Sequence, residues 1–241
     1  MAKVTKEKFK TEHSVFDEFT NLTLFKLISQ GHFEGLQSPI SVGKEGNIFS
    51  ALTKGEKKVI VKIYRLETCD FKRMYNYIRD DPRFVNLNNK RREVIFTWCQ
   101  REYRNLLRAR EANISAPLPI AFLNNVLVIE FIGNGDVAPK LKDLIPNNRK
   151  KFFEMITDDI RKLYKAGFVH ADLSQFNILN HKEVPVIIDW SHCTPLRNPN
   201  SKELLERDIR NICNFFKKIG LKVSEEKVLG KIIKNQYKKI Q

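Results

Sequence analysis

The chain has 241 residues, with 43 Lys and Arg against 28 Asp and Glu, a formal charge of +15. That length holds one large domain or two small lobes, and the charge favours a polyanionic partner such as RNA, or an anionic surface, over the plainer reading of a solvated lysine-rich face only if other features agree. Cys69, Cys99, Cys193 and Cys213 form no C-x-x-C pair and have no His at zinc-finger spacing, which argues against structural zinc and a disulfide framework and for a reducing cytoplasm.

The opening MAKVTKEKFK lacks the apolar stretch of a secretory signal. Residues 14–30 have a helical pattern, with Ser14 as cap, Asp17 at the third helical position and Gly31 as stop. Val15, Phe16, Phe19, Leu22, Phe25 and Ile28 form its apolar side. Residues 38–52 have strands on either side of a glycine turn. Gly43 and Gly46 let backbone approach a bound group, and Lys44 with the backbone N–H groups can cover phosphates, although an ordinary hairpin reads the same. The stretch is neither a Walker loop nor a full G-x-G-x-x-G.

Residues 58–65 form a strand in which alternation puts Ile60, Lys62 and Tyr64 on one face and Val61 and Ile63 on the other. If the first face lines a cleft, Lys62 reaches nucleotide phosphates. Residues 66–91 give a short helix and a polar loop without Ser. Residues 92–111 form a helix whose apolar side carries Val94, Ile95, Trp98, Leu106 and Leu107; Glu102 on it is either a surface carboxylate or the partner of Lys62. Pro117 and Pro119 end it. They also interrupt the longest uncharged run, residues 112–129, so no membrane span is expected. Strands follow at 120–123 and 126–132 around an Asn124-Asn125 turn, and then a polar hinge at 133–140. Residues 149–166, stopped by Gly167, and residues 201–219 and 224–238 complete the helices. Lys227, Lys231, Lys234 and Lys238 on the last are an RNA contact or a solvated face.

Between these helices lies FVHADLSQFNIL, residues 168–179, completed by IIDW at 187–190. Asn177 and Asp189 are hard oxygen donors of the kind magnesium takes, and Asp172 is a carboxylate able to orient or deprotonate a hydroxyl. Taken in order, the chain offers a glycine turn, a strand lysine, a helix glutamate, a hinge, H-x-D with Asn five residues after the Asp, and a strand-borne Asp. That order points to metal-assisted phosphoryl transfer. His170 is expected to pack beneath the loop rather than move protons.

These features resemble the RIO-type atypical protein kinases. The resemblance rests on SVGKEGNIF at 41–49, VIVKIY at 59–64, DFKRMYNYIRDDPRF at 70–84, W-x-x-x-EYRNL at 98–106, IEFIG at 129–133, HADLSQFNIL at 170–179 and IIDWS at 187–191. It covers nearly the whole chain from about residue 14 and looks closest to the first subfamily in a short archaeal-like form. It implies an α+β, two-lobed protein-kinase-like fold with an N-terminal helix and a trimmed C-lobe. Residues 1–37 would form the extension, 38–132 the N-lobe and 133–241 the C-lobe. It further implies ATP with Mg2+ or Mn2+, and work on precursors of the small ribosomal subunit, both rRNA and protein, with no DNA and no membrane. By the same resemblance Asp172 is the catalytic aspartate, Asn177 and Asp189 are metal ligands, and Lys62 and Glu102 are the ion pair. Ser41, Val42, Gly43, Lys44, Glu45, Gly46 and Asn47 form the phosphate loop, and Ile129, Glu130 and Phe131 lie beside the adenine. The family's small or β-branched residue is Trp190 here, and its Gln is His192. After Asp189, WSHCTPLRNPN leads straight into a helical pattern with no A-P-E motif, so the usual peptide-docking platform is not expected. A small-molecule kinase and a non-catalytic RNA-binding assembly factor are the competing readings.

Overall fold

The computed structural model describes residues 16–43, 46–79, 81, 83–84 and 87–233. Helix α1, Glu18–Ser29, begins at Asp17, whose side chain accepts from the Thr20 N–H at 3.0 Å. Asp17 is therefore the cap and not the third helical residue; the expected cap, Ser14, lies outside the described residues. The buried stripe also differs from the expected one. Thr20, Thr23, Leu24 and Leu27 are buried, whereas Leu22 and Phe25 are 56% and 59% exposed. The threonines turn inward because they have partners there: Asn125 donates to Thr20 Oγ1 at 3.0 Å and Asn124 to Thr23 Oγ1 at 3.1 Å.

Five antiparallel strands follow: β1 (Gly35–Val42), β2 (Gly46–Leu52), β3 (Lys58–Tyr64), β4 (Pro119–Leu123) and β5 (Val126–Glu130), in the order β1-β2-β3-β5-β4. Leu24, Leu27 and Phe33 cover one face, packing on Val59, Val61, Ile63, Val126 and Val128. The 60/62/64 face of β3 looks the other way. Helix α2 (Phe71–Arg79) and helix α3 (Arg91–Glu111) lie between β3 and β4 in sequence. The end of α3 is set earlier than the prolines: Ala112 caps it and Asn113 follows at φ 55°, a left-handed turn that Asn tolerates.

Beyond the sheet, residues 133–137 make two two-residue strands, β6 (Gly133–Asn134) and β7 (Asp136–Val137), at the expected hinge. Helix α4 (Arg149–Lys165) stops at Gly167, φ 88°. Strand β8 (Phe168–Val169) pairs with β11 (Thr194–Pro195), and β9 (Ile178–His181) with β10 (Val184–Ile187). Helices α5 (Ser201–Lys218) and α6 (Glu225–Ile233) complete the lobe; the expected extension of the last helix to 238 lies outside the described residues. One core joins α3, α4 and α5 to the motif strands through Trp98, Phe152, Ile156, Val169, Ile187, Trp190 and Phe216. Each such side chain contributes roughly 1.5–3 kcal/mol on burial, so the loops between these strands hang from a well-anchored frame. No helix among the described residues is long and apolar enough to cross a membrane.

Candidate active site

Lys62 projects from β3 toward α3 and the end of β10. Its Nζ donates to Glu102 at 2.9 Å and to Asp189 Oδ1 at 3.0 Å. Burial alone would lower the lysine pKa, but the charges of Asp189 and Glu102 override it and hold the group above its ordinary value, so it stays protonated. Glu102 is buried, which pushes its carboxyl up; Lys62 opposes this, and Tyr64 donates its hydroxyl to Glu102 Oε2. Burial also acts to raise Asp189, and Lys62 overcomes that to hold it well below the usual carboxylate range. Ser191 donates to the same Oδ1 at 3.0 Å. Asp189 sits at φ 61°, ψ 67°, the left-handed region that L-residues avoid without local support.

Asp172 stands in the loop between β8 and β9. Asn177 Nδ2 donates to its backbone carbonyl at 2.8 Å and to Oδ2 at 2.9 Å. Burial and the neighbouring Asp189 charge raise the Asp172 carboxyl, while Asn177, Arg207 and Arg73 pull it down. His170 lies under this loop with Nε2 3.3 Å from the Ile188 carbonyl and its ring 4.9 Å from Trp190. Burial pushes its pKa down to about 4, so the imidazole is neutral near pH 7.

A cleft of about 600 Å³ runs between the lobes. Ile40, Ile48, Ile60, Ile129, Ile132 and Ile188 give it apolar walls, and Lys62, Glu102, Asn177 and Asp189 give it a polar end. Ser41, Gly43, Gly46, Ile129 and Glu130 also line it. Gly46 allows a close approach: a Cβ there would stand 2.6 Å from the Ile63 carbonyl oxygen. Three expected contacts are placed elsewhere. Val42 is 65% exposed and off the cleft. Asn47 is buried and pairs in register with Ile63 on the sheet's opposite face, because alternation gives the cleft to Gly46 and Ile48. Phe131 turns toward Lys58, 5.4 Å from its ring, and Ile132 takes its place. Lys44 and Glu45 lie outside the described residues. Asp172 adjoins the cleft through Asn177 rather than lining it.

The RIO domain family model matches residues 47–229. The chain belongs to the RIO family. RIO-type serine/threonine-protein kinases Rio1 are 40% identical over 89% of this chain and 74% of the relative in Haloferax volcanii, and 44% identical over 88% and 73% in Methanocaldococcus jannaschii. The chain is thus a RIO-type kinase by family. Among solved structures, a complex of Rio2 kinase from Chaetomium thermophilum described as ADP/Mg2+-phosphoaspartate is similar in fold, with a TM-score of 0.69 and 22% identity over 85% of this chain. This chain spans 62% of that structure's length.

Within this RIO chain several supporting residues escaped the sequence reading. Asp208 on α5 accepts from the Ala171 and Leu173 N–H groups, each at 2.8 Å. Arg207 donates to the Ala171 carbonyl, and Asn211 to that of Leu173 at 3.1 Å. These clamp the loop on both sides of Asp172, where Ala171 itself has φ 67°. Tyr64 stands on the cleft face, as strand alternation predicts, and its hydroxyl bonds Glu102 there. The departures at Trp190 and His192 are absorbed by packing. Trp190 donates to the Ile187 carbonyl at 2.9 Å, and His192 meets the Trp98 and Tyr77 rings edge-on.

Proposed function

We propose that this chain is an ATP- and magnesium-dependent RIO-type serine/threonine kinase or ATPase acting in the cytoplasm on precursors of the small ribosomal subunit. The observation that carries the reading is the convergence of Lys62, Glu102, Asp189 and the Asn177–Asp172 pair at one end of an apolar-walled cleft. The donor set fits the cation. Asn177 commits Nδ2 to Asp172, which leaves Oδ1 for a metal, and both side-chain bonds on Asp189 fall on Oδ1, which leaves Oδ2. The isoleucine walls suit a flat heterocycle, and the bare backbone of Gly43 and Gly46 on the cleft wall suits phosphates. Magnesium, when bound, neutralises phosphate charge.

The chain's own groups do the rest. Lys62 binds phosphate oxygens and Glu102 keeps it extended toward them. Asp172 orients the acceptor hydroxyl and takes its proton as the γ-phosphoryl passes to that oxygen and ADP leaves. The net charge of +15 supports an RNA-containing partner.

Asp172→Ala should keep magnesium-dependent ADP binding and lose turnover by roughly 10²- to 10⁴-fold; unchanged turnover would sink the assignment. Labelled ATP, with and without small-subunit precursors, shows where the phosphate goes: to water, to an Asp189 acyl phosphate or to a protein hydroxyl. Turnover stimulated only by a small alcohol or amino sugar would replace this reading with a small-molecule kinase.

A further inference from the structure

Arg101 and Glu102 are neighbours on α3, yet they serve different parts of the molecule. Glu102 faces Lys62. Arg101 and Asn105, four residues apart and so on one face, are both fully buried and reach the backbone that follows Asp189. Asn105 Nδ2 donates to the Trp190 carbonyl at 2.8 Å and the Cys193 carbonyl at 2.9 Å. Arg101 donates to the Ser191 carbonyl and, at 3.4 Å, to that of His192. Every carbonyl from 190 to 193 therefore accepts from a single helix.

The need for this is local. Residues Trp190–His192 form one 3₁₀ turn, closed by Cys193 N–H donating to the Trp190 carbonyl at 3.2 Å. A turn that short leaves its remaining buried carbonyls without a ladder. It also has to hold Asp189 left-handed, a conformation that persists only where the surroundings over-determine it. The clamp is braced from behind. Asp81, buried, accepts from Arg101 Nε at 3.1 Å and Arg83 at 2.6 Å, and Arg83 donates to Asn105 Oδ1 at 2.8 Å. That last bond fixes which way the Asn105 amide points, aiming its N–H groups at the turn.

We propose that Arg101 and Asn105 are positioning residues that tie the Asp189 turn to the helix carrying Glu102, so that both carboxylate partners of Lys62 move as one body braced by Asp81 and Arg83. The proposal rests on the reading of Asp189 as a magnesium ligand. Asn105→Leu keeps the volume and removes the donors. It should leave metal-free ADP affinity unchanged and cut the gain in affinity on adding Mg2+ by about tenfold, as expected for partners that orient a ligand. Amide exchange over residues 189–193 should quicken. Arg83→Ala, less buried and safer for folding, should shift both readouts the same way by less, and exposed Arg104→Ala should shift neither. Unchanged exchange and an unchanged Mg2+ effect in Asn105→Leu and Arg83→Ala would overturn the tether. So would an equal loss of ADP affinity with and without metal. Wild-type ADP affinity that ignores Mg2+ would instead overturn the magnesium reading, and the exchange data would still decide the tether.

Discussion

The two walls of the cleft are built to different standards. The lower wall rests on the loop 170–177, which meets the cleft at Asn177 and is gripped by Asp208, Arg207 and Asn211 through its backbone and by Asn177 from within. The upper wall is the facing ends of β1 and β2, from Ile40 to Gly43 and from Gly46 to Ile48. Here β1 is a sheet edge with irregular register around Pro39 and Ser41 and mostly exposed side chains, and Gly43 N–H to the Gly46 carbonyl at 3.0 Å closes the turn. The contrast follows from what each wall would handle. A carboxylate that takes a proton must stand within hydrogen-bond reach of it, whereas a cover over phosphates has to admit and release its ligand, and segments that move come from the lightly bonded part of a fold.

The largest way to break that contrast is Asp208→Ala. It strands two buried N–H groups, each costing roughly 1–3 kcal/mol, and frees the loop on both sides of Asp172. The expected result is a clear fall in melting temperature and a loss of turnover in whatever enzyme remains folded. A variant that melts and turns over like wild type would mean that the lower wall holds itself.

Gly46→Ala tests the upper wall and should do less to stability. The new Cβ meets the Ile63 carbonyl oxygen, which is backbone and cannot swing aside. Overpacking of this kind costs roughly 1–3 kcal/mol, and an edge hairpin can relieve it by lifting. Steady-state kinetics should therefore show a higher KM for ATP with kcat largely kept. A fall in kcat at constant KM would place the strain in the lower wall and erase the distinction.

The two walls were also unequally legible in the sequence. Alternation along β3 separated Ile60, Lys62 and Tyr64 from Val61 and Ile63, as the cleft and the upper core require. The spacing of Asp172, Asn177 and Asp189 marks those three as one set in the sequence alone. Alternation failed at Phe131, because β5 ends at Glu130 and the chain turns. It was not applied at Asn47, where it would have pointed the side chain away from the cleft. Periodicity misjudged α1 because it counts apolar residues, and this helix buries two threonines that knit to Asn124 and Asn125. Asp208 and Arg101 gave no signal, since a lone charge in an amphipathic helix reads as surface and most of what they bond is backbone, which carries no sequence identity; Asn105 stands in the W-x-x-x-EYRNL motif, but nothing in the motif tells what it bonds.

The smallest effect at neutral pH concerns the joint between the walls. His192 is buried against Trp98 and Tyr77, and burial pushes its pKa from 6.5 down to about 3. Arg73, Arg101 and His170 push the same way and Asp189 pushes back. The unfolded chain binds a proton that the folded chain refuses between those values. Stability from this group is therefore whole above pH 6.5 and lost as pH falls toward 3, at ~1.4 kcal/mol per pH unit. His170, lowered to about 4, adds to the loss. Asp208 opposes it: burial lifts its carboxyl from 3.8 to about 7, so its contribution is present at low pH and lost as pH rises through 7. His192→Gln deletes one of the three titrations and leaves the others. Whatever the glutamine costs in packing at pH 7, melting temperature should fall less between pH 7 and pH 5 than in wild type. Parallel curves would mean that His192 takes up its proton in the folded chain, and that the turn behind Asp189 is wetter and looser than the backbone of the lower wall.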